Sequence, residues 1–184
     1  MPIRKFVAGA AISAAAIAGQ PAVADHHVAA VGPPHAVVID ANDNRVGTIV
    51  LEETPAGLLI KADVEGLPPG EHGFHLHETG VCNAAEKFAT AGGHFAPRSN
   101  AHGLMDAAGP HAGDMPNQFA AADGKLRAHV LNTQVSLGPG VGSLMDNDGT
   151  ALVIHAGADD YASQPSGAAG DRLACAVLVP PNDR

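Results

Sequence analysis

Six histidines and one aspartate, His75, His77, His94, His102, His111, Asp114 and His155, fall within positions 75–155, each on a strand-like run or beside glycine or proline. Imidazole suits zinc and copper alike; a closed structural zinc site takes four ligands, and a catalytic metal takes three or four with one direction open. Seven donors therefore fit two adjacent metal sites, and a fold that uses them must bring a strand, a loop and a later strand together. The densest run is Glu71-His72-Gly73-Phe74-His75-Leu76-His77-Glu78. A period of two puts His75 and His77 on one face and His72, Phe74 and Leu76 on the other, so one strand can offer two imidazoles to one ion. An isolated His-x-His also describes two polar residues on a solvated strand face. The remaining donors decide against that reading. His94 follows Gly92-Gly93, His102 precedes Gly103, and Pro110-His111-Ala112-Gly113-Asp114 puts a ligand pair on a tight turn. The loop from Thr79 to about Asp114 holds too few large apolar residues to offset the entropy of ordering its own backbone, which points to ordering by metal.

The start of the chain reads as an export signal. Arg4 and Lys5 precede a run, Phe6 to Ala18, that is apolar except for Ser13, and Ala22-Val23-Ala24 forms a small-residue cleavage site. The run is too short to span a bilayer. Residues 1–24 are expected to be removed on export, 25–35 to form a short flexible leader and 36–184 to form one domain. Cleavage takes away two cations and no acid, moving the net charge from −9 to −11. Nucleic acid and anionic membrane are poor partners for such a surface. Cys82 and Cys175 are the only cysteines, and no Cys-x-x-Cys pair is present. In an oxidising compartment they are expected to pair, two separately buried thiols being the alternative. Cleavage after Ala24 would also leave Asp25-His26-His27 with a free amine. A histidine in third place lets the amine, two backbone amides and the imidazole surround one Cu(II) in a plane, so this tail is a candidate copper collector. The bland alternative is a leader whose histidines merely solvate it.

Beyond the leader, Ala36 to Asp40, Arg45 to Glu53 and Leu58 to Val64 are β-rich runs, parted by Asn42-Asp43-Asn44 and by Thr54-Pro55-Ala56-Gly57. They read as an antiparallel meander. Glu71 to Glu78 follows as the ligand strand, then the long loop, then Lys125 to Asn132, Thr150 to His155 and Arg172 to Val179. With 22 Gly, 14 Pro and no helical period of any length, the chain suits an all-β sandwich or barrel. His129 alternates with Ala128 and Val130 and reads as a solvated outward histidine. His72, beside Phe74, reads as a hydrogen-bonded core residue. Gly138-Pro139-Gly140-Val141-Gly142 has neither the Lys-Ser/Thr nor the strand-to-helix setting of a phosphate loop and reads as a plain turn.

His75-x-His77, Gly92-Gly93-His94, His102, His111 with Asp114, the run Gly149 to Asp160 around His155, and Gly170-Asp171-Arg172-Leu173-Ala174-Cys175 resemble copper/zinc superoxide dismutase of the bacterial exported type, over residues 36–180. The resemblance implies an eight-stranded antiparallel Greek-key β-sandwich or barrel with long metal-binding and electrostatic loops, and one copper and one zinc ion per subunit. It implies copper at His75, His77, His94 and His155, and zinc at His94, His102, His111 and Asp114, with His94 shared. Asp159 matches a carboxylate that braces His75 and His102. Arg172 matches an arginine beside the copper, held there by a Cys82 to Cys175 disulfide, and His72 a structural histidine. The implied reaction disproportionates superoxide by Cu(II)/Cu(I) cycling. The resemblance leaves a homodimer and a monomer both open. Two departures stand out: Ala96 replaces an Asn or Asp, and Asp171 replaces a small neutral residue beside Arg172, which sets an acid against anion steering by Arg172, Lys87 and Arg98. A non-catalytic metal carrier on the same fold would tend to lose a copper ligand or the arginine. A zinc hydrolase would place an acid and a further histidine where this chain has Thr79 and Gly80.

Overall fold

The computed structural model describes residues 1–2 and 35–182. The export signal and the His26, His27 tail lie outside the described residues. Eight strands follow in chain order: β1 (His35–Asp40), β2 (Arg45–Thr54), β3 (Gly57–Val64), β4 (Gly70–His77), β5 (Asp114–Ala120), β6 (Leu126–Asn132), β7 (Thr150–His155) and β8 (Arg172–Val179). All pairings are antiparallel, in the order β5-β4-β7-β8-β1-β2-β3-β6. β5 and β6 approach each other, so the sheet curls into a nearly closed barrel. The neighbours β4 with β7 and β3 with β6 are the long crossings that make the order a Greek key.

Strand alternation fills the barrel. Val38, Ile49, Leu51, Leu58, Ile60, Phe74, Leu76, Met115, Leu126, Leu152 and Ile154 are all buried in one apolar core. β4 and β7 are buried on both faces, and this places the site. Phe74, Leu76, Leu152 and Ile154 point into the barrel, whereas Ala151 and Val153 pack outward with Phe88, Ala91 and Cys175 in a second apolar cluster beneath the loop that follows β4. Two short 3-10 turns, Ala84–Glu86 and Ala89–Ala91, shape that loop. The Cys82–Cys175 disulfide ties it to β8 across 93 residues, settling the pairing in favour of a bond over two free thiols. The chain-entropy account credits a closed loop of this size with about 4.6 kcal/mol.

Seven of the eight strands coincide with the β-rich runs, to within one residue at each end. β5 is the exception: the run Asp114-Met115-Pro116-Asn117-Gln118-Phe119-Ala120 has no β-branched residue and carries a proline. Proline is tolerated there because β5 is the outermost strand of the sheet order, where an unpaired position costs no ladder bond. His129 is exposed on β6, as its alternation requires. Residues 138–142 form a turn outside any strand, again as expected.

Candidate metal centre

The ligand strand delivers His75 and His77 to the outer face of β4, opposite the core residues Phe74 and Leu76. Register then supplies their partners. Asp114, the first residue of β5, lies opposite His75, and His155, the last of β7, lies opposite Arg172 on β8. A single bridge between His77 and His94 brings in the loop after β4. The result is two groups of four donors, His75, His77, His94 and His155 in one and His94, His102, His111 and Asp114 in the other. The donor atoms of each group lie within 4.8 Å of one another. His94 belongs to both. All seven sequence-derived donors are thus brought together, although His111 is only half-buried.

In four of the rings, hydrogen bonding fixes which nitrogen is turned away from the site. The His75 Nε2–H donates to Asp159 Oδ2 at 2.8 Å, and the His102 Nε2–H to Asp159 Oδ1 at 3.0 Å. The His77 Nδ1–H donates to the Gly92 carbonyl at 3.0 Å and the His155 Nδ1–H to the Gly170 carbonyl at 3.3 Å. Carboxylates and carbonyls only accept, so each of these nitrogens carries a proton, and in a neutral ring the other holds a bare lone pair. Those others, His75 Nδ1, His77 Nε2, His102 Nδ1 and His155 Nε2, are buried with no hydrogen-bond partner, as are His94 Nε2 and His111 Nδ1. Six orphaned lone pairs converging on two points would be costly in a protein interior unless a cation satisfies them. In the second group the His94, His102 and His111 Nδ1 atoms stand 2.8, 3.1 and 3.3 Å from Asp114 Oδ1. A tetrahedron with metal–ligand bonds of about 2.0 Å has edges of about 3.3 Å, so this packing suits zinc. The all-nitrogen first group suits copper.

The electrostatics agree with cation sites. Burial opposes ionisation of Asp114, but hydrogen bonds from His94 and the Gly103 amide, with His102 nearby, outweigh it and hold the carboxyl well below its usual range. Burial likewise opposes ionisation of Asp159, and hydrogen bonds from His75, the Tyr161 amide and His102 overcome it, leaving a pKa of about 2. Burial, then the charges of His94 and Arg172, push His77 well below an ordinary histidine. Burial and the neighbouring His75 push His155 down to about 3. Neutral imidazoles beside ionised carboxylates are the protonation states that bind metal.

The first group opens to a cleft of about 420 Å³ lined by His77, His94, His155, Pro165, Ser166 and Arg172, among others. Arg172 donates from Nη1 to the Phe88 carbonyl at 2.6 Å and from Nη2 to the Gly92 carbonyl at 2.7 Å, both in the disulfide-tied loop. Lys87 shares the adjoining surface with Arg172 and Asp171. Arg98 lines a separate hollow with Asn100, Pro110 and Gln134. His72 is a core residue as expected, its ring nitrogens 2.7 Å from the carbonyls of His155 and Pro68. Ala96 leaves its turn closed through the Ser99 amide. Three contributors were not legible in the sequence. Glu78 accepts the Gly93 amide at 2.9 Å and so steadies the turn before His94. Asn117 and Gln164 bond the backbones of Asp159 and His102. Their partners lie 15 to 62 residues away, and only His-adjacent position could have drawn attention to Glu78.

Comparison with known proteins agrees with this geometry. The family model described as copper/zinc superoxide dismutase (SODC) matches residues 45–178. The chain is 48% identical to superoxide dismutase [Cu-Zn] 2 of Aquifex aeolicus over 78% of this chain and 85% of that protein. It is 41% identical to superoxide dismutase [Cu-Zn] of Caulobacter vibrioides over 77% and 83%. Its fold superposes on a double mutant of a SOD-like protein from Bacillus subtilis with a TM-score of 0.77 and 39% identity, over 79% of this chain and 97% of that one. A match across most of the domain, on top of two four-donor groups that share one histidine, means that this chain belongs to the copper/zinc superoxide dismutase family.

Proposed function

We propose that this protein is a superoxide dismutase that runs 2 O2•− + 2 H+ → O2 + H2O2, with copper held by His75, His77, His94 and His155 and zinc held by His94, His102, His111 and Asp114. The observation that carries this reading is the set of six buried, unpartnered imidazole nitrogens gathered into two groups around His94. When bound, copper supplies the one-electron acceptor and donor, and zinc supplies fixed charge without redox chemistry. The chain does the rest. Arg172, pinned by two carbonyls, keeps further N–H donors for an anion in the cleft and is charged at every working pH. His94 Nε2, buried and unpartnered within the four-histidine group, would help hold copper there and, when not bound to it, would hold a proton for the peroxide product. Asp159 bonds one ring from each group and so fixes the orientation of both.

The intact donor set and Arg172 favour an enzyme over a carrier of the same fold, and Thr79 and Gly80 stand where a hydrolase would need an acid and a histidine. Residues 1–24 direct export to the periplasm in this reading, and the disulfide fits that compartment. The mature Asp25-His26-His27 tail binds an additional Cu(II); the mass of the exported protein and copper titration of a His26→Ala, His27→Ala variant check it, equal extra copper in both forms ruling it out. The function itself is tested by assaying superoxide decay with metal-free, zinc-only, copper-only and doubly loaded protein. Only the copper-containing forms are expected to accelerate it. An inert doubly loaded protein would leave a carrier, and hydrolytic activity with zinc alone would favour the hydrolase.

A further inference from the structure

The segment 159–167 closes over the zinc group through contacts that metal ligation alone does not require. The carboxamide of Gln164 reads both main-chain groups of His102: Oε1 accepts the His102 amide at 3.0 Å, and Nε2 donates to the His102 carbonyl at 2.8 Å. A carboxamide carries the same donor and acceptor as a peptide group, so this pairing resembles one more rung of a β-ladder. Asn117 does the same to Asp159, donating to its carbonyl at 2.9 Å and accepting its amide at 2.8 Å. The two loops touch closely enough that side chains are excluded. Gly167 (φ +70) lies where a Cβ would fall 2.7 Å from His102 Nε2, and Gly103 (φ +108) lies where a Cβ would fall 2.1 Å from the Tyr161 carbonyl oxygen. The residues directly after Gln164, Pro165 and Ser166, form part of the wall of the copper-facing cleft.

We propose that Gln164 is a positioning residue that couples the zinc ligand His102 to the wall of the cleft beside the copper group. His102 then has its ring aimed by Asp159 and its backbone held by Gln164. The cleft wall is set by the same clasp, so disturbing the zinc ligand moves Pro165 and Ser166, and loosening the wall weakens zinc. The proposal rests on the assignment of His102 to zinc. Among the described residues, the Gln164 side chain has two other contacts, with the Ala162 carbonyl at 3.2 Å and Asp106 Oδ2 at 3.3 Å, both longer than those to His102.

Gln164→Met removes both polar partners at similar length, and Gln164→Glu keeps an acceptor while losing the donor to the His102 carbonyl. Each variant and the wild type are loaded with copper and zinc. Zinc release into a chelator is then timed, and azide binding at copper is titrated by its optical change. Removing an outer partner of a metal ligand typically costs 10- to 100-fold in affinity, so zinc release from both variants is expected to quicken by about 10-fold or more, with an azide affinity changed by about threefold or more. The melting midpoint of the metal-free protein serves as a control: it is expected to fall by less than that of the loaded form, whereas a merely structural role would lower both equally. Zinc release within twofold of wild type, unchanged azide affinity, or equal loss of stability with and without metal would each overturn the proposal. A wild type that holds no zinc would instead overturn the metal assignment itself.

Discussion

Asp114 concentrates more of the site on one side chain than any other residue. Its Oδ1 faces three imidazole nitrogens, and its Oδ2 accepts the amides of Gly103 and His111 at 2.9 Å, so it fixes both the donor group and the turn that presents it. Asp114→Ala is expected to lower the melting point of protein supplied with both metals by on the order of 10 °C, as for a buried, multiply bonded charge worth about 3 kcal/mol. Activity per bound copper should be affected less, because the four-histidine group proposed for copper keeps all its donors. Equal melting points would contradict the role given to Asp114. A second consequence follows from the buried imidazoles. His77 and His155 are held neutral in the folded metal-free protein, whereas in the unfolded chain they take up a proton near pH 6.5. Between that value and about 3, the folded pKa of His155, the unfolded state binds more protons, so stability falls as pH falls through this window. Denaturant midpoints of metal-free protein should therefore drop from pH 7 to pH 5; a flat or rising profile would show that these rings are protonated in the fold. At this scale the donors were legible because metal chemistry restricts them to a few residue types. Gln164 and Asn117 were not, since a carboxamide that binds backbone has no signature until the fold brings its partner near.

Among the elements, the strands with alternating apolar residues were legible and β5 was not. Its cohesion comes from pairing with β4 and from Met115 and Ala120 packing inward, neither of which shows in local composition. The loop after β4 was expected to depend on metal. The expected disulfide anchors it as well, and the structure adds the buried Phe88, so metal is not its sole source of order. The loop 156–171 holds no Lys or Arg and carries Asp159, Asp160 and Asp171. Asp159 is turned inward to its two histidines, which leaves Asp171 beside the cations at the cleft mouth, Arg172 and Lys87. Asp171→Ala should raise the second-order rate with superoxide by roughly a factor of two at 0.01 M salt. The gain should fade as the Debye length shortens from about 30 Å to about 8 Å at 0.15 M. A slower variant, or a gain indifferent to salt, would show that Asp171 does not act through the field at the mouth.

Taken whole, the molecule sets a closely packed barrel against two loops that it holds at three points: the disulfide, the Arg172 bonds to the Phe88 and Gly92 carbonyls, and the clasps of Asp159 and Gln164 on the histidines. The barrel supplies strand register, which fixes His75 opposite Asp114 and His155 opposite Arg172; the loops supply His94, His102 and His111. Neither part makes a site alone. What joins the two donor groups into one centre is His94, with Nδ1 turned to Asp114 and Nε2 left to the four-histidine group. The most direct measurement fills the zinc group with paramagnetic Co(II) and the copper group with Cu(II), then records the Cu(II) electron paramagnetic resonance signal. A shared imidazole couples the two spins, so the signal should be lost in the doubly loaded protein and return when cobalt is replaced by zinc. A Cu(II) signal that persists undiminished with cobalt bound would mean that His94 does not bridge, and that the two metals occupy independent sites.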